Sequence, residues 1–225
     1  MEGQVFFILV AVLVGVGLIV HAHHRARVRS SALAAWASAK GFHFHRGKVK
    51  HFDDEHPDLG CLQRGHSRYA HNIASGQLGE HAFTSFDYHY ATGSGKNRRS
   101  YRFSAVLLSP PFPLLPMAVR REGWFDKIKA GFGFNDIDFE SAEFSKQFHV
   151  SAADKKFAYD LITPRTMEFL LRSARSAAGF SFECDHDVLC VLSKNVLDIP
   201  DIEHAYHYGK TILEGIPEYA RQTDH

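Results

Sequence analysis

The chain has 225 residues, of which 45% are hydrophobic and 23% are charged. This is the composition of an ordinary globular protein, and it excludes collagen-like, coiled-coil, disulfide-scaffold and wholly disordered chains. The 26 Lys and Arg residues nearly balance the 25 Asp and Glu residues, which gives a formal charge of +1. Because proteins that bind nucleic acid usually carry a basic excess, we predict no nucleic-acid partner.

The N-terminal segment is the most apolar part of the chain. Val5 to Val20 are consecutive apolar or Gly residues, and they would form about 24 Å of helix. With its flanking residues this length approaches what a bilayer requires, so we predict a transmembrane helix over residues 4–22. Arg25, Arg27 and Arg29 follow as a basic membrane flank. Since Lys and Arg mark the cytoplasmic side, we predict a single-pass cell-membrane protein with its N-terminus outside and its C-terminal domain in the cytoplasm.

The next segment, residues 23–41, is predicted to be a juxtamembrane basic segment with a stalk helix, and residues 42–225 to be one domain. The first half of this domain is predicted to be rich in strands, because apolar and polar residues alternate between Gly-containing turns. The predicted elements are a helix over Ala32–Lys40, strands over Phe42–Phe44, Tyr69–Ser75, Glu80–Ala91 and Tyr101–Ser109, and a helix over Glu122–Ala130. The three longer strands predict an antiparallel meander.

The last third of the chain carries clear start and stop signals. Thr163 followed by Pro164 is typical of a helix N-terminus, and Ser151 with Asp154 predicts a capping box. The predicted elements are a strand over Phe144–Val150, a helix ending at Asp160, a helix from Thr163–Pro164, a hairpin over Phe180–Leu192 and a helix from Pro200–Asp201. The predicted fold class is α+β, a mostly antiparallel sheet covered by helices and preceded by the N-terminal transmembrane helix.

Two stretches resemble known proteins of undefined function. Phe86-Asp87-Tyr88-His89-Tyr90 followed by Thr92-Gly93-Ser94-Gly95-Lys96 resembles a strand–loop motif of uncharacterised bacterial proteins with one N-terminal membrane helix. The stretch from Phe144 through Asp154 to Met167 is similar to the C-terminal half of a domain-of-unknown-function family found in bacterial membrane-associated proteins. The resemblance implies a location and a fold, and it carries no catalytic residue.

The loop Thr92–Lys96 is rich in Gly and ends in Lys, as phosphate-binding loops do. The full phosphate-loop pattern fails, because Tyr90 stands where Gly is required and a strand follows where a helix is required. Two interpretations remain open, a flexible hairpin loop and a basic tip that binds anionic lipid headgroups. The residues of this predicted lipid-binding tip are Lys96, Arg98, Arg99 and Arg102.

A metal site is predicted at Cys184, His186 and Cys190, because thiolate and imidazole are the ligands that zinc prefers. Their spacing matches no standard zinc motif. Two buried thiols, or a disulfide between strands that place the two cysteines opposite each other, are the alternatives. We predict no required cofactor, and zinc is the metal that this cluster would bind.

Two further features have more than one interpretation. The chain contains 16 His residues, which would respond strongly to acidification if they are exposed. Asp87 is an acidic residue within an apolar strand, between Phe86 and Tyr88. It is either a structural group that bonds a neighbouring loop or a functional carboxylate with a perturbed pKa.

The predicted function is a non-enzymatic, membrane-anchored cytoplasmic module that binds a protein, a lipid or a small ligand at the inner membrane face. The predicted partners are the lipid bilayer and a protein. A metal-dependent hydrolase with Cys and His ligands is the alternative. Three or more such ligands converging in a concave pocket would favour the hydrolase.

Overall fold

The computed structural model describes residues 2–121, 135–175 and 179–221. The predicted helix over Glu122–Ala130 lies outside these residues. Within them the strands are β1 (His43–His45), β2 (His66–Leu78), β3 (His81–Thr92), β4 (Arg99–Ser109), β5 (Met117–Arg121), β6 (Asn135–Asp136), β7 (Phe148–Ala152), β8 (Ser181–Asp185) and β9 (Val188–Ser193). The helices are α1 (Glu2–Ala39), α2 (Ala142–Gln147), α3 (Lys155–Leu161), α4 (Pro164–Ala174), α5 (Ile199–Glu214) and α6 (Glu218–Arg221).

These strands form one sheet in the order β1-β2-β3-β4-β9-β8-β5-β7-β6. All its described neighbours pair antiparallel. The predicted meander is confirmed, because β2 pairs with β3 and β3 with β4 over nearly their whole lengths. β9 then continues the sheet from β4, and this pairing joins the two halves of the domain.

Each face of the sheet carries a hydrophobic core. The alternation of side chains along β3 shows the division, since Phe83 enters one core while Phe86 and Tyr88 enter the other. The main core packs against helices such as α1 and α5. The second core is covered by the irregular segment between β1 and β2, where Leu59 and Leu62 are fully buried. The Tyr88 hydroxyl donates to the Leu62 carbonyl oxygen at 2.7 Å and fixes this cover.

Helix α1 has 38 residues and two contrasting parts. Toward its C-terminus Leu33 and Ala37 are buried in the main core, and Trp36 Nε1 donates to Glu203 Oε1 of α5 at 3.1 Å. Toward its N-terminus the apolar side chains face outward, as at Phe7 and Leu13. The C-terminal part of α1 is therefore packed against the main core.

The predicted transmembrane helix over residues 4–22 is wrong. In the described part of the chain, no helix combines the length and the apolar character that crossing a membrane requires. The apolar run is shorter than the hydrocarbon core, which is about 30 Å thick, and the same helix continues through polar residues into the domain. The predicted fold class is corrected on this point, and the single-pass assignment, the cell-membrane localisation and the outside N-terminus are corrected with it.

The helix starts of the last third follow local capping signals. The predicted start at Thr163–Pro164 is confirmed, because Thr163 Oγ1 accepts from Thr166 N at 3.2 Å. Asp154 Oδ1 caps α3 by accepting from Phe157 N at 2.6 Å. The predicted strand over Phe144–Val150 is wrong in its first half, because Ser141 Oγ accepts from Phe144 N and starts α2 there.

Candidate functional site

The carboxylate of Asp87 is buried in the middle of β3, where the residue is 3% exposed. Because side chains alternate along a strand, Phe86 and Tyr88 enter the second core and Asp87 points to the opposite face, toward α1. A charge buried in this way requires a charged partner and a full set of hydrogen bonds. The structure supplies both.

Arg29 of α1 is the charged partner. Its Nη1 donates to Asp87 Oδ2 at 2.6 Å and its Nη2 donates to Oδ1 at 3.0 Å, which is a bidentate ion pair. Asn72 Nδ2 donates to Oδ2 at 2.8 Å, and the Ser104 hydroxyl donates to Oδ1 at 2.6 Å. A carboxylate has about four lone-pair sites, and here each is used. Asp87 is therefore a structural group, the first of the two roles that the sequence leaves open.

The same contacts fix the segment that precedes α5. Ser104 Oγ accepts from Leu197 N at 2.9 Å, and Arg29 Nε donates to the Leu197 carbonyl oxygen at 3.0 Å. Asn72 has a φ of 51° at a bulge in β2, which turns its amide toward the carboxylate. We call Asp87, Arg29, Asn72, Ser104 and Leu197 the Asp87 network. It ties α1, three strands and the linker before α5 to one carboxylate.

A groove of about 630 Å³ opens beside the Asp87 network, between α1 and the start of α5. Its wall contains exposed apolar side chains, with Val28 at 55% and Val196 at 41% exposure. We call this cavity the helix groove. Its lining residues are His24, Arg25, Ala26, Val28, Arg29, Ala32, Leu33, His71, Asn72, Asp87, Arg102, Val196, Asp198, Ile199 and Pro200.

The polar lining of the helix groove is mainly cationic, because its two carboxylates, Asp87 and Asp198, are both paired with Arg29. Arg25 and Arg102 line it, and in the described part of the chain neither has a carboxylate within salt-bridge distance. His71 also lines it, and burial lowers the pKa of its imidazole, an effect that the nearby Asp87 charge only partly opposes. The groove therefore places an apolar wall beside two cations that are free to meet an anionic or hydroxylated group.

The basic membrane flank of the sequence analysis is divided by this arrangement. Arg29 is directed into the domain by its pair with Asp87, Arg25 lines the helix groove, and Arg27 is exposed. The helical spacing could have predicted that Arg29 faces the domain, because residues 29, 33 and 37 lie on one face of α1. With Leu33 and Ala37 in the core, Arg29 must lie against the sheet as well.

The four residues predicted to bind lipid headgroups do not line one common cavity. Lys96 is in the short 3-10 turn Gly95–Asn97, and Arg99 begins β4. Arg98 borders a separate cleft, and Arg102 lines the helix groove. Arg102 thus joins the candidate site, and lipid binding by the other three stays a prediction.

The predicted metal ligands Cys184, His186 and Cys190 are not brought together. Because the turn pairs Asp185 with Val188, the two cysteines point to opposite faces of the sheet, Cys184 into the main core and Cys190 into the second core. Cys190 Sγ lies 4.0 Å from Cys61 Sγ instead. All three cysteines are buried free thiols, and burial raises the pKa of Cys61 and Cys184.

One group of possible metal ligands does form within the described residues. Ligand atoms of Asp58, Asp185 and His186 lie within 4.8 Å of one another. Asp185 Oδ1 already accepts from the His186 backbone N–H at 2.6 Å, and burial raises the pKa of its carboxyl. Of the predicted ligands, His186 belongs to this group, which lies where the β8–β9 turn meets the segment between β1 and β2 and shares no residue with the lining of the helix groove.

These features define an antiparallel α+β domain whose long N-terminal helix lies against the sheet and forms a groove with it. No family model matches the chain, and no curated protein matches its sequence. Among solved structures, the crystal structure of the mycobacterial trehalose monomycolate transport factor A, TtfA, matches with a TM-score of 0.63. The sequence identity is 12%, and the match covers 85% of this chain and 97% of that chain. At this identity the likeness shows the fold alone.

Proposed function

We propose that this protein is a non-enzymatic lipid-binding factor that takes part in the transport of an amphiphilic lipid. The observation that carries the proposal is the helix groove, in which an apolar wall lies beside free cations. The fold that the chain shares with TtfA, a trehalose monomycolate transport factor, supports it. The proposed ligand is a lipid that combines an acyl chain with a polar headgroup.

The apolar wall suits an acyl chain. Val28 and Val196 expose more than a third of their surface, and Ile199 and Pro200 add apolar lining at the start of α5. Removing apolar surface from water contributes about 25 cal/mol for each Å². Part of an acyl chain lying along this wall would therefore bind without any change in the fold.

The cationic lining of the helix groove suits a headgroup. Arg25 and Arg102 offer charged donors to phosphate, carboxylate or sugar hydroxyl oxygens. Arg29 also lines the groove, and its guanidinium is bonded to both carboxylate oxygens of Asp87. This lowers the ordering cost of binding, because this part of the site is already in place.

The non-enzymatic part of the proposal rests on Asp87. The four hydrogen bonds of its carboxylate leave no lone pair to accept a proton from a substrate. This carboxylate therefore builds the groove and does not act as a general base.

A binding experiment tests the proposal. The probes are a trehalose monoester with a fluorescent acyl chain and a phosphatidylglycerol with the same chain. Val28→Glu places a charge on the apolar wall, and we expect it to weaken binding of the trehalose monoester about tenfold or more. Val16→Glu is the matched control, because Val16 is 53% exposed on the same helix and lies outside the groove.

The two probes identify the headgroup, since preference for one reports what Arg25 and Arg102 recognise. Equal losses from Val28→Glu and Val16→Glu would contradict the helix groove as the site. Absence of binding to both probes would overturn the lipid-binding function.

A further inference from the structure

A second cleft, of about 760 Å³, lies outside the helix groove. It is formed by the segment after β1, the start of β2, the end of β3 and the residue before β4. We call it the basic cleft and define it by Lys48, Lys50, Ser67, Arg68, Tyr69, His89 and Arg98. Its residues are distinct from those that line the helix groove, so the inference below does not rest on the proposed function.

The charge of the basic cleft is uncompensated. Asp53 is its acidic residue, and Asp53 Oδ2 is paired with Arg68 Nε at 2.8 Å. Lys48, Lys50 and Arg98 remain, all exposed, and none has a carboxylate within salt-bridge distance in the described residues. Like charges gathered in one cleft repel one another and attract a multivalent anion.

The floor of the basic cleft is rigid. The Tyr69 ring stacks on His89 with centroids 4.6 Å apart, and Lys48 Nζ lies 4.5 Å from the centroid of the same ring. His89 Nδ1 donates to the Ser67 carbonyl oxygen at 3.1 Å. These contacts hold the Lys48 ammonium and the Ser67 backbone in fixed positions.

The backbone of the basic cleft is also unusual. His51 has a φ of 63° and Ser67 a φ of 56°, which is the left-handed region that non-glycine residues seldom occupy. Gly65, with a φ of 58°, lies where an added Cβ would be 2.1 Å from the Ala91 carbonyl oxygen. Such strain concentrates at ligand sites, where the surrounding fold maintains it.

We propose that the basic cleft binds a phosphate group, with Lys48, Lys50 and Arg98 supplying the charge. A phosphate monoester carries close to two negative charges at neutral pH and three acceptor oxygens, which suits three cations that line one cleft better than a carboxylate does. The phosphate belongs either to a small phosphorylated metabolite or to a phospholipid headgroup.

The imidazole of His89 gives a direct readout. Burial lowers its pKa, and the positive charges of Arg102, Lys48 and Arg98 lower it further. A bound anion offsets these charges, so we expect phosphate to raise the pKa of His89, as measured from its ring signals by NMR.

The test uses the full chain and two sets of probes. Inorganic phosphate and glycerol phosphate are titrated at constant ionic strength against chloride, and vesicles of phosphatidylcholine are compared with and without phosphatidic acid. We expect the variant K48Q/K50Q/R98Q to lose about tenfold or more in phosphate affinity. K146Q/K155Q/K156Q is the matched control, because its lysines are exposed and Lys155 and Lys156 also contact tyrosine rings.

The outcomes separate the ligand sources. Binding of the small phosphates alone identifies a metabolite, and added binding to phosphatidic acid vesicles identifies a headgroup. Equal losses in the two triple variants, or phosphate binding no stronger than chloride binding, would overturn the proposal. Val28→Glu is expected to leave phosphate affinity unchanged, so failure of the helix groove and failure of the basic cleft are distinguishable.

Discussion

The pair of Arg29 and Asp87 shows how a buried charge organises its surroundings. Desolvation makes such a pair a weak source of net stability when it is compared with a well-packed apolar pair. Removing one partner is different, because the other charge then stays buried without compensation. In this domain the charge left behind would be a carboxylate to which Asn72 of β2 and Ser104 of β4 donate, and Ser104 in turn accepts from the backbone of Leu197.

We therefore expect Arg29→Met to lower the free energy of unfolding by about 3 kcal/mol or more. Arg27→Met is the control, two residues away on the same helix and exposed, and it should change stability by less than about 0.5 kcal/mol. Urea denaturation followed by circular dichroism measures both. Equal effects of the two substitutions would show that Asp87 does not depend on Arg29.

At the scale of elements, the sequence predicts best what is encoded locally. Helix α4 starts at its Thr163–Pro164 signal, and the hairpin of β8 and β9 turns between Asp185 and Val188 as its turn residues indicate. The prediction for α1 is wrong because the two parts of this helix have different environments, and the apolar run of the first part dominates the sequence pattern. The helical spacing places Leu33 and Ala37 on one face, but the sheet against which this face is buried is formed by residues far along the chain.

The contact of α5 with the sheet depends on a glycine. An added Cβ on Gly209 would lie 2.7 Å from Leu108 Cδ1 and 2.9 Å from Val191 Cγ2, both in the main core. Overpacking costs about 1 to 3 kcal/mol, and the higher helix propensity of Ala relative to Gly offsets about 1 kcal/mol of this cost. We expect Gly209→Ala to lower the free energy of unfolding by about 1 kcal/mol.

Gly17→Ala on α1 is the matched control for this helical glycine, since nothing lies within 4 Å of its added Cβ. Thermal unfolding should show no loss of stability for this control. A loss as large as that of Gly209→Ala would contradict close packing as the cause.

At the scale of the whole molecule, the formal charge of +1 conceals an uneven surface. The helix groove and the basic cleft are each lined by more cations than carboxylates. From the sequence, Arg98 and Arg102 can be recognised as part of a cationic cluster, because they are close together in the chain. It cannot indicate that Lys48 joins Arg98, or that Arg25 joins Arg102, because strand pairing and helix docking create these neighbours.

The buried histidines also make stability depend on pH. The pKa values of His71 and His89 are lowered in the folded state, mainly by burial, so below about pH 6.5 the unfolded chain binds more protons. Stability from this source is present above pH 6.5 and is lost as the pH falls. We expect the free energy of unfolding to decrease from about pH 7.5 to pH 5.5, and H71Q/H89Q to reduce that slope.

Urea denaturation at several pH values measures the slope. The double variant H43Q/H207Q is the control, because both of its histidines are exposed, and it should keep the slope of the unmodified chain. A slope that is unchanged in H71Q/H89Q would assign the pH dependence to other groups.

The pairing of β4 with β9 also governs how the chain folds. Residues 104–108 pair with residues 189–193, which are far along the sequence. Such long-range pairing forms slowly compared with local contacts. Until β9 pairs with it, β4 is an open edge of the N-terminal meander, and this edge carries side chains that belong to the two cores, namely Phe103, Ala105, Val106, Leu107 and Leu108. The hairpin of β8 and β9 therefore covers the open edge of β4, and its pairing protects this edge against edge-to-edge aggregation during synthesis.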